Sequence, residues 1–257
     1  MKIGKVEKYI NDVIEREGGM TFILIDPCDH KTPETAIKTA KESVESGADL
    51  ILIGGSIGAQ GELLDAVAKG IKEQVNVPIN IFPGNTSSIT RYANSIYFMS
   101  MLNSRNAYWS TMAQTVAAPV IKKLGIEAIP TGYIVISPGG TVGWVSDANL
   151  VPRHKPQIAA ALAMAGELTG NRIILTDCGS NPKDGHMPFE MIKAVSDSIS
   201  VPYVVGGGFR TAEQAGKAIE NGADAVQIGT AVENIADVRK KVEAIVKSIK
   251  AAGRKKV

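Results

Sequence analysis

The stretch 201–230, VPYVVGGGFRTAEQAGKAIENGADAVQIGT, constrains the fold more than any other part of this chain. An apolar run, 201–205, stops at Gly206, Gly207 and Gly208. A helix-patterned segment follows, then a second apolar run, 225–228, that stops at Gly229-Thr230. Two buried strands ending in small residues and joined by one helix make a βαβ unit, which requires a parallel sheet with helices packed over it. Glycine has no Cβ, so backbone N–H groups at both turns can approach an anion closely. In a (β/α)8 barrel the phosphate often sits on the loops after strands 7 and 8. This unit falls where those strands would be.

The remaining chain supplies the other elements. Val6, Ile10, Val13 and Ile14 recur at helical spacing and predict a leading helix to about Glu17. Further apolar runs at 21–25, 50–53, 78–82, 95–99, 128–136 and 172–176 read as strands, the fifth with an interruption at Pro130-Thr131-Gly132. Helical patterns separate them. One is capped by Thr32 with Pro33 at its first position, one is a short segment at 88–93, and one covers 107–124 with Met112, Val116, Val120 and Leu124 as an apolar stripe. Thr211 and Gln214 have the spacing of a capping box. The longest irregular stretch is 137–156, a length typical of lids and binding loops. Eight strands alternating with eight helical segments predict a single α/β domain over 1–257, a (β/α)8 TIM barrel with an additional N-terminal helix. An open doubly wound sheet is the alternative.

Composition narrows the function. An apolar fraction of 44% with 21% charged residues supports a sizeable core, and a net charge of +2 gives no case for nucleic acid. No run of about 18 apolar residues predicts a transmembrane span, and the N-terminus lacks an apolar signal core. Two cysteines, Cys28 and Cys178, are too few for a disulfide framework, so a cytoplasmic protein is expected.

Barrel enzymes carry their chemistry at the C-terminal ends of strands. Those ends hold Asp26, Ser56, Asn85, Asp177 and the glycine turns. Asp26 is either a helix-capping carboxylate or a Mg2+ ligand, since magnesium takes few carboxylates when substrate phosphates supply the other oxygens. Ser56 is a second oxygen, or a helix cap. Asp177 can orient a substrate hydroxyl or accept its proton. Beside it, Gly179-Ser180-Asn181 is a third anion-friendly turn, and three such turns point to a small molecule bearing phosphate. Cys28, Asp29, His30, Cys178, Asp184 and His186 fail as a zinc set because the cysteines follow strands one and six. The run GGSIGAQG at 54–61 does not fit a dinucleotide loop.

Several blocks together resemble one family. LIDP (24–27), LIGGS (52–56), IFPGNTSSITRYA (81–93), FMSMLNS (98–104), PGGTVGWV (138–145), VPRHKP (151–156), VGGGFRT (205–211) and IGT (228–230) run over nearly the whole chain. They resemble the geranylgeranylglyceryl phosphate synthase family of barrel prenyltransferases, PGGTVGWV and FPGN most specifically. The resemblance implies a phosphoglycerol geranylgeranyltransferase. Such an enzyme joins the sn-3 hydroxyl of sn-glycerol 1-phosphate to C1 of geranylgeranyl diphosphate, and its product is a lipid. It implies Mg2+ at Asp26 and Ser56. It implies acceptor binding by Leu175, Thr176, Asp177, Cys178, Gly179, Ser180 and Asn181, by Gly207-Gly208 and by Gly229-Thr230, with Asp177 catalytic. Where the family has Tyr-x-Glu, this chain has Leu175-Thr176-Asp177, so the tyrosine is gone and the carboxylate is one methylene shorter. Arg153 and Lys155 are candidates for the diphosphate, and Tyr133, Trp144 and the fourth helix for the prenyl groove. A homo-oligomer is expected. Another chain length, such as a heptaprenyl donor, and a phosphosugar isomerase or lyase on the same barrel are the competing readings, with a non-catalytic phosphate-binding barrel behind them.

Overall fold

The structure, a computed structural model, describes residues 3–257. Among these residues eight parallel strands close into a barrel in chain order. They are β1 (Met20–Ile25), β2 (Leu50–Ile53), β3 (Ile79–Ile81), β4 (Ser95–Met101), β5 (Glu127–Val135), β6 (Ile173–Asp177), β7 (Tyr203–Gly206) and β8 (Ala225–Ile228). β8 pairs back onto β1, with Phe22 opposite Gln227. The strands read as continuous apolar runs because both of their faces are buried. Phe22, Leu50, Leu52, Tyr97, Tyr133 and Leu175 fill the barrel interior, while Ile23, Ile25, Ile51 and Ile53 join the layer beneath the helices. This is the period-two alternation of a strand between two apolar environments.

The leading helix α1 (Lys5–Glu17) packs Val6, Ile10 and Val13 into that interior cluster. Its N-cap, Gly4, has no side chain, and the Glu127 carboxylate takes over by accepting from the N–H groups of Val6 and Glu7 at 2.8 and 2.9 Å. Glu7 pairs with Arg172 at 2.9 Å, and the Tyr9 hydroxyl donates to the Asp49 carbonyl at 2.9 Å. Glu127, Arg172 and Asp49 all stand at the N-terminal ends of strands. The helix therefore closes that end of the barrel and leaves the C-terminal end for chemistry.

The outer layer comprises α2 (Pro33–Glu45), α3 (Gly61–Lys72), α4 (Ala113–Leu124), α5 (Gly140–Val145), α6 (Pro156–Leu168), α7 (Phe189–Ser196), α8 (Ala212–Glu220) and α9 (Val238–Gly253). Capping boxes at Thr32/Thr35 and Thr211/Gln214 start α2 and α8. None of the helices among the described residues is long and apolar enough to cross a membrane.

Four segments depart from the sequence-based expectation. Residues 88–93 are irregular, with a single turn at 91–92, instead of a helix. The Ser88 hydroxyl donates to the Ala59 carbonyl at 3.0 Å and the Thr90 hydroxyl to Asp65, so these hydroxyls bind neighbouring elements and do not support a helical backbone. β5 runs through Pro130-Thr131-Gly132 without a break, paired to β4 and β6 on its two sides, and Gly132 stands where a Cβ would strike Leu102 and Ile174 at 2.8 and 2.9 Å. The stretch 137–156 is not wholly irregular and contains α5. Finally, the fourth helix enters through a π-helical turn, Tyr108–Met112, and its buried residue is Ile121. Met112, Val116 and Val120 are 56%, 61% and 46% exposed. The helix has two apolar rows, and the row of smaller residues, Ala113, Ala117 and Ile121, is the one that faces the barrel.

Candidate active site

Asp26 follows β1 and Asp177 ends β6, and both carboxylates reach the same opening at the C-terminal end of the barrel. Two pockets share them. The first is lined by Ser56, Met99, Met101, Trp109 and Tyr133 as well as Gly179 and Ser180. The second is lined by Ser180, Asn181, Gly207, Gly208, Gly229 and Thr230, together with Gln227 and Glu233. The three glycine turns named from the sequence therefore converge on one cavity. Met99, Met101 and Trp109 also line a third depression that runs outward between β4 and α4 past Phe98, Ala117 and Ile121. The mouth thus joins a phosphate-type cradle to an apolar groove.

Asp177 is buried, and its Oδ1 accepts the Gly179 N–H at 2.6 Å. The Tyr133 hydroxyl from β5 donates to the same carboxylate. Tyr133 is held in turn against Phe82, ring centroids 5.5 Å apart. Burial pushes the Asp177 carboxyl up to about 6, and the Gly179 and Tyr133 hydrogen bonds limit the rise. The backbone around it needs glycine. At Gly207, φ is +86° and a Cβ would stand 2.5 Å from the Cys178 nitrogen. At Gly179, φ is +85° and a Cβ would stand 2.6 Å from the Gly139 carbonyl oxygen. The second contact explains PGGTVGWV: its glycines bring the start of α5 against the Gly179 turn, and the Gly139 N–H donates to the Cys178 carbonyl at 3.1 Å.

Asp26 is 8% exposed, and its Oδ1 has no hydrogen-bond partner. Burial pushes its carboxyl up to about 7, with further contributions from the negative charges of Glu233, Asp29 and Asp177. Glu233 is also raised to about 7, by burial and then by Asp29. One carboxylate oxygen from each of Asp26, Asp29 and Glu233 lies within 4.8 Å of the others. Such a cluster, with an orphaned buried oxygen, suits a hard cation.

The sequence-derived set divides on inspection. Asp26, Ser56, Asp177, Gly179, Ser180, Asn181, Gly207, Gly208, Gly229 and Thr230 line the mouth. Leu175, Thr176 and Cys178 do not. Leu175 packs in the barrel interior, the Thr176 hydroxyl shares a 2.7 Å hydrogen bond with Tyr203, and Cys178 packs beneath the helices. Strand alternation turns Thr176 and Cys178 away from the interior, whereas Leu175 faces inward with Asp177 but one layer deeper in the barrel. Arg153 is also committed elsewhere, donating to the His186 and Gly185 carbonyls at 2.6 and 3.4 Å. Lys155 is exposed at the start of α6, and Trp144 is 83% exposed. Sequence reasoning missed Glu233, although an acid four residues beyond Gly229, at the end of the last strand, was a usable signal. It also missed Gln227, an inward side chain of β8.

The fold and mouth define a phosphate-binding (β/α)8 barrel with an apolar annex. Comparison with known proteins narrows this: the chain belongs to the PcrB family, whose sequence model matches residues 11–249. It is 47% identical to the geranylgeranylglyceryl phosphate synthase of Thermococcus sibiricus over 97% of this chain and 98% of that one. With the enzyme of the same name from Pyrococcus horikoshii it shares 48% identity over 95% and 96% of the two chains. Among solved structures, that of (S)-3-O-geranylgeranylglyceryl phosphate synthase from Thermoplasma acidophilum, in complex with sn-glycerol-1-phosphate, superposes with a TM-score of 0.91. The two are 33% identical, covering 97% of this chain and 100% of that one.

Proposed function

We propose that the chain is a Mg2+-dependent prenyltransferase that joins sn-glycerol 1-phosphate to geranylgeranyl diphosphate. The product is geranylgeranylglyceryl phosphate, the first ether-bonded intermediate of archaeal-type membrane lipids. The observation that carries this reading is the meeting of a phosphate-turn pocket and an apolar groove between Asp26 and Asp177. The names of the relatives and the sn-glycerol-1-phosphate held by the Thermoplasma enzyme support the same pair of substrates.

The acceptor phosphate lies on the backbone N–H groups of the Gly207-Gly208, Gly229-Thr230 and Gly179-Ser180 turns. Asp177, fixed by Gly179 and Tyr133, accepts a hydrogen bond from the acceptor's sn-3 hydroxyl and orients its oxygen toward C1 of the donor. That oxygen bonds to C1, the C–O bond to the diphosphate breaks with its electron pair leaving on the diphosphate, and the hydroxyl proton passes to Asp177. Asp26 would hold Mg2+, and the ion would supply positive charge to the departing diphosphate. Met99, Met101 and Trp109 line the way into the groove, where Ala113 and Ala117 leave room beside the strands for the prenyl chain. Among the described residues no lysine lines either pocket, which leaves a Schiff-base lyase without its nucleophile.

The test is a product assay. Labelled glycerol 1-phosphate or glycerol 3-phosphate is paired with diphosphates of several chain lengths. Label is expected in the organic phase with glycerol 1-phosphate, most with the geranylgeranyl donor. A preference for a longer donor shifts the assignment to another chain length, and no organic-phase product with any donor removes the reading.

A cytoplasmic enzyme belongs to the same proposal, supported by the free thiols Cys28 and Cys178. So does a homo-oligomer, supported by the exposed row Met112, Val116 and Val120. Sedimentation velocity is expected to give a mass above one 27.2 kDa chain. A single monomeric species at micromolar concentration would withdraw it.

A further inference from the structure

The sequence pairs Asp26 with Ser56 as the oxygens for a cation, on the β2 side of the mouth. Ser56 lines the first pocket with Asp26, and the structure gives Asp26 further company on its other side. Asp29 stands in the one-turn 3-10 helix Pro27–Asp29 after β1, and Glu233 in the loop after β8, the neighbour of β1 around the barrel. The two loops are tied together by the Asn234 side-chain amide, which donates to the Asp29 carbonyl at 2.8 Å. The tie brings one oxygen of each carboxylate within 4.8 Å of the other two. Among the described residues none of the three has an ion-pair partner. Like charges held this closely are relieved either by taking up protons or by a counter-charge beside them.

Two further observations point to a ligand. Asp26 Oδ1 is buried without a partner, and so is Oε1 of Gln227, a 5% exposed side chain that lines the same pocket as Asp26 and Glu233. That pocket also carries Gly207, Gly208, Gly229 and Thr230, the turns assigned to the acceptor phosphate. A phosphate dianion brought beside these carboxylates is repelled unless a cation lies with them. Ser56 lines the first pocket but not this one.

We propose that Asp26, Asp29 and Glu233 together hold the divalent cation on the acceptor side of the mouth, before the prenyl diphosphate binds. The inference rests on the Mg2+ reading of Asp26 and extends it. Magnesium usually takes one or two carboxylates and leaves the other positions to substrate phosphates. Three carboxylates make a site that the protein alone can fill, with the open positions left for water and phosphate oxygens. Glu233 and Asp29 are then cation ligands, and the cation neutralises the pocket into which the acceptor phosphate must come.

The experiment titrates Mn2+ into the full-length protein without either substrate and follows the free-ion EPR signal. Wild type is expected to bind one Mn2+ per chain. Glu233→Gln and Asp29→Asn are each expected to weaken that binding by about tenfold or more, because affinity follows ligand charge count. Melting temperatures measured without metal report folding, and both variants are expected at or above the wild-type value because a repulsion is relieved. If Asp26→Asn abolishes binding while Glu233→Gln and Asp29→Asn bind as wild type does, the cation belongs to Asp26 and this ligand set is overturned. Wild-type binding that appears only after prenyl diphosphate is added overturns it as well. If all three variants bind Mn2+ like wild type, the Asp26 reading falls with it.

Discussion

Replacing Asp26 by Asn is expected to lower kcat by about 10²–10³-fold, the range seen when one electrostatic stabiliser of a developing anion is removed. Asparagine keeps the shape of the side chain and removes its charge, so the loss reports charge and not packing. The same change is expected to stabilise the metal-free protein. The Asp26 carboxyl is raised from 3.8 to about 7 in the fold, so the native state binds a proton across that interval that the unfolded chain has released. That contribution is fully present below the unfolded value and is lost as pH rises through the folded value. At pH 8 without metal, wild type therefore carries a buried charge among Glu233, Asp29 and Asp177 that the Asn variant lacks. Thermal unfolding in chelator is expected to show a higher Tm for Asp26→Asn at pH 8 and a smaller difference at pH 4. Near wild-type kcat would sink the metal role, and a lower Tm at pH 8 would mean that Asp26 is stabilised by a contact the structure does not contain.

Asp177→Ala is expected to lower kcat/KM for the acceptor by about 10²–10⁴-fold, the usual contribution of a positioned general base. KM for the prenyl diphosphate is expected to change little. In wild type the acceptor kcat/KM should fall below about pH 6, because Asp177 accepts a proton only when ionised and its carboxyl is raised to about 6. This acid limb should vanish in the Ala variant. Tyr133→Phe gives an internal check: the ring still packs on Phe82, but the carboxylate loses a hydrogen bond that favours its charged form. The limb should then move to higher pH. A wild-type kcat/KM for the acceptor in Asp177→Ala removes this residue from the chemistry.

The barrel was legible because its strands are buried on both faces and so appear as apolar runs, three of which (β2, β7 and β8) stop at glycine. The phosphate turns were legible for the same reason. What the sequence hid was contact across elements. Residues 88–93 have helical spacing, yet the hydroxyls of Ser88 and Thr90 find acceptors near α3 that no local pattern announces. In α4 both apolar rows satisfy a helix, and the row of Ala113, Ala117 and Ile121 is the one that lines the depression beside β4. Arg153 is a diphosphate candidate by sequence, and nothing in its local sequence signals that its guanidinium donates to the His186 and Gly185 carbonyls. The apparent loss of the family's tyrosine at Leu175 reads differently in three dimensions. A tyrosine hydroxyl still reaches the carboxylate, from Tyr133 on β5, a residue whose sequence context points only to an apolar ring. The meeting of Glu233 with Asp29 was hidden most deeply, since the two lie some two hundred positions apart in the chain, with Asn234 joining their loops.

The helix at the base of the barrel has a consequence for traffic. With Val6, Ile10 and Val13 stoppering the lower end, the vessel is a cul-de-sac, and whatever enters by the rim must leave by it. Two donors of charge and one greasy tail arrive through a single doorway. After the ether forms, the freed diphosphate and the new amphiphile must back out past the same residues. The order of departure is then part of the reaction, and the apolar annex toward α4 is a siding in which one product can wait while the other clears.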